Sequence, residues 1–251
     1  MENRFQDQVA IITGGADGLG KAIALRLANE GAQVALFDRN ADMLEKTKKE
    51  FEALNINTFT FTADISNEES VKNGFEEVQK KYRKIDIMVN SAGIVGPTNT
   101  KITDYPIDEY EKIFNVNLKG AFLVTKYAVK AMEKKGYGRI LLIASIAGKE
   151  GNPGMVGYSS MKSGVIGLVK GVAKEYATQG ITVNGLAPAV IKTAMNENTA
   201  PEQLAYMTAK IPMGRLGTVD EVAAMSAFIV SKENSFSTGF IYDISGGRAT
   251  Y

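Results

Sequence analysis

The sequence contains neither cysteine nor histidine. Without cysteine there can be no disulfide, thiol nucleophile, iron–sulfur cluster or thiolate zinc site. Without histidine the commonest general base and the commonest transition-metal ligand are both missing. A Ser-His-Asp hydrolase is excluded before any motif is read. Acid–base chemistry has to come from Tyr, Lys, Asp or Glu. Charge imbalance is also absent: 29 basic residues face 28 acidic ones, for a formal net charge of +1. Such a chain sets up no global field for nucleic acid or an anionic membrane. No apolar run approaches the ~18 residues of a membrane-spanning helix. The stretch Met1-Glu2-Asn3-Arg4-Phe5-Gln6-Asp7-Gln8 is polar and lacks the apolar centre of a signal peptide. A cytoplasmic location, with no nucleic-acid or membrane partner, is the expectation.

What is present is an ordinary globular composition: 251 residues, 45% apolar and 23% charged. A chain of this length can bury roughly three quarters of its unfolded surface in one core. No linker, repeat or shift in composition divides it, so residues 1–251 are expected to form a single dinucleotide-binding and catalytic domain.

Short apolar runs alternate with helical patterns. Strands are predicted at Val9–Thr13, Val34–Phe37, Thr58–Thr62, Ile85–Val89 and Arg139–Ile143, from Ile181 onward, and at Phe240–Asp243. Helices are predicted from Ala22 to Ala28 (closed by Gly31), and over Asp42–Leu54, Val71–Tyr82, Glu109–Lys134, Tyr158–Tyr176, Gln203–Lys210 and Val219–Val230. This alternation specifies an α/β fold, a Rossmann-like doubly wound parallel sheet with helices on both faces. In such sheets the ligand lies beyond the carboxyl ends of the strands, near the topological switch.

The first loop to inspect is Thr13-Gly14-Gly15-Ala16-Asp17-Gly18-Leu19-Gly20, between a predicted strand and a helix. Gly14, Gly18 and Gly20 permit a tight turn and close approach to a pyrophosphate, and the helix start offers free N–H groups. A glycine-rich turn alone is weak evidence, but its position between strand and helix is the one a dinucleotide requires. The second strand ends at Asp38, where a carboxylate can accept hydrogen bonds from ribose hydroxyls and would repel a 2′-phosphate. Asp17 adds negative charge to the same loop. Both favour NAD over NADP, while Arg39 is the group that could turn toward a phosphate.

Further along the chain come Asp64, Asn90-Ser91-Ala92-Gly93, Asn115-Val116-Asn117, Ser145, Tyr158-x-x-x-Lys162, and Asn184 to Pro188 followed by Thr193. With the glycine loop, this ordered set resembles the short-chain dehydrogenase/reductase family over essentially the whole chain. The resemblance implies a catalytic tetrad of Asn117, Ser145, Tyr158 and Lys162. It implies that Asp64 contacts the adenine and that Asn90, Ala92 and Gly93 line the cofactor cleft. It also sets Asp17, Leu19, Arg39, Ile65, Pro188, Val190, Ile191 and Thr193 against the cofactor, with Tyr158 and Lys162 reaching its nicotinamide half. Two departures stand out: Ser91 where the family more often has Asn, and Ala189 where it more often has Gly. Neither removes a reacting group.

The tetrad residues make chemical sense by themselves. Tyr158 and Lys162 stand at i and i+4, on one face of a helix. A free tyrosine has a pKa of ~10, and a neighbouring ammonium is expected to lower it toward neutrality. Tyr158 would then give a proton to a carbonyl oxygen or take one from an alcohol. Ser145 would polarise the substrate oxygen. Asn117 is expected to hold a water that links Lys162 to solvent.

The substrate is less legible. The loop from Lys149 to Val156, which includes Asn152, should wall the pocket, and residues 191–210 should cover it, with Met195, Asn196, Asn198 and Gln203 in that segment. The tail ending in Arg248-Ala249-Thr250-Tyr251 resembles that of dehydrogenases of 2-keto-3-deoxy sugar acids. Arg248 is either the partner of a substrate carboxylate or a surface residue of the tail. The candidate substrate residues are thus Ser145, Asn152, Tyr158, Met195 and Arg248. The expected activity is interconversion of a secondary alcohol and a ketone on a sugar-acid or polyol-like substrate. Reduction of a 3-oxoacyl group on an acyl carrier protein is the alternative, with Lys126, Lys130 and Lys134 as a basic stripe. A non-catalytic dinucleotide sensor would predict a damaged tetrad. Apolar stripes containing Phe122, Val129 and Met132, together with the resemblance, imply a homotetramer.

Overall fold

The computed structural model describes residues 3–193 and 201–251. Nine strands are present among them: β1 (Val9–Thr13), β2 (Gln33–Asp38), β3 (Thr58–Thr62), β4 (Ile87–Asn90), β5 (Gly138–Ile143), β6 (Ile181–Pro188), β7 (Ile191–Lys192), β8 (Gly217–Thr218) and β9 (Ile241–Ile244). Seven of them form one sheet in the order β3-β2-β1-β4-β5-β6-β9, and β7 pairs with β8. Every pairing in the large sheet is parallel. The helices are α1 (Gly18–Asn29), α2 (Ala41–Ala53), α3 (Glu68–Tyr82), α4 (Ile107–Ile113), α5 (Gly120–Met132), α6 (Ala147–Glu150), α7 (Val156–Tyr176), α8 (Pro201–Ala209) and α9 (Val219–Ile229).

The strands read as continuous apolar runs because both faces of the sheet are covered. Successive side chains alternate between two cores. Ile11, Phe37, Met88 and Leu142 pack under α3, α5 and α7 against residues such as Phe75, Leu123 and Val169. Ile12, Leu36, Val89 and Leu141 face α1, α2 and α9, meeting Leu27, Phe51 and Val222. The result is the single-domain, Rossmann-like α/β architecture that the sequence predicts. The strand order reverses at β1, whose neighbours are β2 and β4, so the crevice opens above these three strand ends. Among the described residues no helix is long and apolar enough to cross a membrane.

The predicted helix over 109–134 is not one α-helix. It begins as α4, widens into a π-helical segment at Phe114–Lys119, continues as α5, and ends in a 3₁₀ turn at Glu133–Lys135. Asn117 sits in the wide turn and is buried. Its carboxamide oxygen accepts from Ile94 N–H at 2.8 Å, and its Nδ2 donates to Ile94 C=O at 2.7 Å. Those two bonds hold the helix to the loop after β4 at the point where the ladder is widened. The stripe named from the sequence also divides: Val129 and Met132 belong to the core, while Phe122 faces outward.

Candidate active site

Among the described residues, three helices begin with a side-chain cap. Asn40 accepts from Met43 N–H at the start of α2, Asn67 accepts from Ser70 N–H at α3, and Thr218 and Glu221 form a reciprocal capping box at α9. Helix α1, like α4, α6 and α7, has none: Asp17 makes no side-chain cap, and its first residues, Gly18, Leu19 and Gly20, line the crevice with their N–H groups uncapped.

The glycine loop in front of it is folded too tightly for side chains. A Cβ on Gly20 would stand 2.1 Å from Gly14 C=O. Gly14 has φ +64°, and a Cβ there would lie 2.8 Å from the Ala92 nitrogen. Gly18, at φ +53°, faces open space. Asp38, at the end of β2, ties the loop down: Oδ2 accepts from Ala16 N–H at 3.3 Å and Oδ1 from Asn40 N–H at 3.1 Å. Arg39 beside it is exposed. Asp64 is exposed too, with Oδ1 accepting from both Ser66 N–H and Ser66 Oγ–H.

Gly14, Asp17, Gly18, Leu19 and Gly20 line one end of a cleft of about 590 Å³. Asp38, Arg39, Asp64 and Ile65 line the same cavity, as do Ala92, Gly93, Pro188, Val190, Ile191 and Thr193. Ser145, Tyr158 and Lys162 line its other end. Asn90 is buried and does not line the cleft; its Oδ1 accepts from Thr13 Oγ–H at 2.6 Å, joining β1 to β4.

Ser145 lies just beyond β5, with Oγ accepting from Ala147 N–H at 3.1 Å. Tyr158 and Lys162 project from α7. Lys162 Nζ donates to Ile143 C=O at 2.7 Å and stands 5.7 Å from the centre of the Tyr158 ring. Burial lowers the Lys162 ammonium to about 8. Burial also raises the Tyr158 phenol, against the opposing influence of its hydrogen bond with Ser145. The expected lowering of the phenol by the ammonium is not seen: burial is the larger influence and acts the other way. In its protonated form the phenol can donate to a carbonyl oxygen.

Gly93 separates the two remaining polar groups. A Cβ on it would lie 3.3 Å from Asn117 Oδ1 and 3.7 Å from Lys162 Nζ. The Asn117 carboxamide is engaged with Ile94 through one acceptor and one donor position, so that side chain clamps the loop after β4. On the substrate side, Met195, Asn196 and Asn198 lie outside the described residues. Arg248 and Asn152 do not line the cleft but meet each other: Arg248 Nη2 donates to Asn152 Oδ1 at 3.0 Å. Arg248 Nε and Nη2 also donate to Glu150 Oε2, at 3.0 and 2.8 Å. Sequence reading missed Glu150 and the Ile143 carbonyl. The opposite charges of Glu150 and Arg248 were the only signal for the first, and a backbone acceptor leaves no mark in the sequence.

The family model described as enoyl-(acyl carrier protein) reductase matches residues 14–249. The 2-dehydro-3-deoxy-L-rhamnonate dehydrogenase (NAD(+)) of Sphingomonas sp. (strain SKA58) is 42% identical over 248 residues, covering 99% of this chain and 98% of that protein. This chain is a short-chain dehydrogenase/reductase. The 3-oxoacyl-(acyl-carrier-protein) reductase of Thermotoga maritima shares 37% identity, covering 97% of this chain and 98% of the relative. The solved structure of NAD⁺-bound xylitol dehydrogenase matches with a TM-score of 0.92 at 31% identity, covering 97% of this chain and 99% of that one. Levodione reductase matches at 0.93 and 33%, covering 98% and 100%. As a short-chain dehydrogenase/reductase, the protein is a nicotinamide-dependent oxidoreductase of alcohol and ketone groups.

The residues present fit a dinucleotide. Backbone occupies the space that side chains at Gly14 and Gly20 would fill, and the uncapped start of α1 faces the crevice. Asp38, at the end of β2, lines the same cleft.

Proposed function

We propose that this short-chain dehydrogenase/reductase interconverts a secondary alcohol and a ketone on a polar, sugar-acid or polyol-like substrate, with NAD preferred over NADP. The observation that carries the reading is the placement of Ser145, Tyr158 and Lys162 at one end of a cleft whose other end carries Asp38. The 42% identity to an NAD(+)-linked deoxy-sugar-acid dehydrogenase supports the substrate class. Asp38 supports the cofactor preference, through attraction of a diol and repulsion of a 2′-phosphate.

The cofactor, when bound, supplies or accepts the hydride. The chain's own residues handle the proton. Ser145 Oγ orients and polarises the substrate oxygen. Tyr158 gives its proton to that oxygen in reduction and takes the alcohol proton in oxidation. Lys162, anchored on Ile143 C=O, places positive charge behind the phenol and near the cofactor ribose. Asn117 completes the tetrad by fixing the loop that carries Gly93 and Ile94. Gly14, Gly18 and Gly20 receive the pyrophosphate with Asp17 and Leu19. Asp64 and Ile65 meet the adenine, and Pro188, Val190, Ile191 and Thr193 the nicotinamide half. Asn90 acts one layer below, by holding β4 to β1.

Reduction of a carrier-bound 3-oxoacyl group is the second reading, supported by the 37% identity to the Thermotoga maritima reductase. The basic stripe is a weak argument for it, because Lys126 is engaged with Glu68 at 2.6 Å. We also propose a cytoplasmic homotetramer. Phe114 and Phe122 stay exposed on the π-helical segment and α5, where a partner's helices would cover them.

NADH and NADPH titrations by nucleotide fluorescence, followed by turnover on sugar acids, polyols, hydroxy acids and a 3-oxoacyl thioester, test the reading. NAD-linked oxidation of a sugar acid or polyol is expected, with Tyr158→Phe losing ~10²–10⁴ in kcat while still binding NADH. NADPH-driven reduction of the thioester in preference to these would overturn the substrate and cofactor readings.

A further inference from the structure

We infer that residues 243–251 clamp the loop between Ser145 and Tyr158, with Arg248 acting as a positioning residue through Glu150 and Asn152. The inference deepens the reading of this cleft as an alcohol–ketone site and rests on it.

The loop opens with α6, which is fastened to α7 where Ser163 Oγ–H donates to Gly148 C=O at 2.6 Å, and its second half is less supported. Gly151 and Gly154 adopt positive φ, +72° and +75°, and a side chain at Gly151 would meet nothing within 4 Å. On one flank the backbone is stitched to the loop after β4, where Thr100 N–H donates to Gly154 C=O at 3.0 Å. On the other flank, three positions are each gripped by the C-terminal segment. Lys149 Nζ donates to both Asp243 carboxylate oxygens, at 3.0 and 2.9 Å. Arg248 donates twice to Glu150 and once to Asn152. Tyr251 Oη donates to Lys149 C=O at 3.0 Å, and its ring lies 5.0 Å from Lys149 Nζ.

These are not loose surface pairs. The side chains of Lys149 and Arg248 are only 8% and 11% exposed. Charge-assisted bonds so shielded are less screened than exposed ones. The grip also reaches the catalytic helix: Asn152 N–H donates to Ser159 Oγ at 3.1 Å, and Ser159 follows Tyr158 in the chain. A loop released by the tail would thus disturb the turn that presents the phenol.

The geometry assigns Arg248 to this clamp rather than to a substrate carboxylate, because Glu150 already occupies the fork. Removing Glu150 separates the two roles. An anchor freed from Glu150 should bind an acidic substrate better, whereas a broken clamp should bind every substrate worse.

Arg248→Ala and Glu150→Ala, made in the full chain, test this by hydrogen–deuterium exchange and steady-state kinetics. Exchange across residues 148–155 is expected to quicken roughly tenfold in both, with β5 unchanged. Arg248→Lys, which keeps the charge and loses the fork, is expected to fall between. KM is expected to rise severalfold in both alanine variants, equally for an acidic and a neutral polyol substrate, with a smaller fall in kcat. Unchanged exchange in either alanine variant overturns the clamp. So does a KM that falls for the acidic substrate in Glu150→Ala while rising for it alone in Arg248→Ala. The exchange readout needs no turnover: a loosened loop in a protein that turns over no alcohol or ketone would uphold the clamp and sink the functional reading instead.

Discussion

Lys162 Nζ donates to the Ile143 carbonyl at 2.7 Å, so α7 is fastened to the end of β5 just ahead of Ser145. The bond places a cation where little water reaches it, and burial lowers it to about 8. The unfolded chain keeps that proton to pH ~10.4. Between the two values the unfolded state binds more protons, so stability rises with pH, and below about 8 the folded state bears the full cost of the buried charge. Lys162→Met is expected to abolish turnover. Its melting temperature relative to the parent should be most favourable near pH 7 and should decline toward pH 10. The pH-dependent part is at most about 3 kcal/mol, offset by the orphaned Ile143 carbonyl at about 1–3 kcal/mol. Thermal melts of both proteins at pH 7 and 9.5 check the trend.

Gly18 and Gly20 should fail in different ways. A Cβ on Gly20 meets a carbonyl oxygen at 2.1 Å, so Gly20→Ala must rebuild the loop and is expected to lower both stability and NADH affinity by more than tenfold. A Cβ on Gly18 meets no protein atom, so Gly18→Ala bears only the cost of its positive φ, about 1–2 kcal/mol. That Cβ would enter the space proposed for the pyrophosphate, so NADH affinity should drop in a protein that still melts cooperatively. Melting curves paired with NADH titrations separate the two.

Asn117→Ala removes both bonds to the half-buried Ile94, whose freed N–H and C=O border the cleft. The expected loss is about 1–3 kcal/mol in total, since water can reach part of what is freed. Asn117→Asp keeps the bond from Ile94 N–H but sets a carboxylate against Ile94 C=O. It should therefore be no more stable than the alanine variant and should lose kcat as well. Denaturant melts and kcat for the two variants test the clamp.

Asp38→Ala is expected to raise the NADP-to-NAD preference by roughly tenfold or more, by removing the ribose acceptor and the charge that opposes a 2′-phosphate. Arg39, exposed beside it, is the residue that should gain the phosphate. The ratio of NADPH to NADH dissociation constants measures this. An unchanged ratio would remove Asp38 from the cofactor reading.

Strands and glycine loop were legible because their causes are local. Runs such as Val9–Thr13 are buried on both faces, and a tight backbone turn demands glycine wherever a side chain would strike a carbonyl. The family pattern pointed to Asn117, Ser145, Tyr158 and Lys162, and the last three line the cleft. The π-helical turn at Phe114–Lys119 was not, because it accompanies a contact between Asn117 and Ile94 that lie far apart in sequence. The Tyr158 phenol was misjudged for a related reason: spacing on a helix reports a neighbouring ammonium but not how far a fold buries both groups. Arg248 was read without Glu150 because a pairing across ninety-eight positions exists only in the folded chain.

The strand order has one more consequence. Asp38 ends β2 and Ser145 follows β5, with β1 and β4 between them. Three inter-strand steps of about 4.8 Å set the two ends of the cleft ~14 Å apart. Groups that far apart, sharing no partner, usually contribute independently. Nucleotide choice and the clamp on the loop after Ser145 are therefore separately tunable in this scaffold: the effects of an Asp38 variant and a Glu150 variant on kcat/KM should multiply when the two are combined.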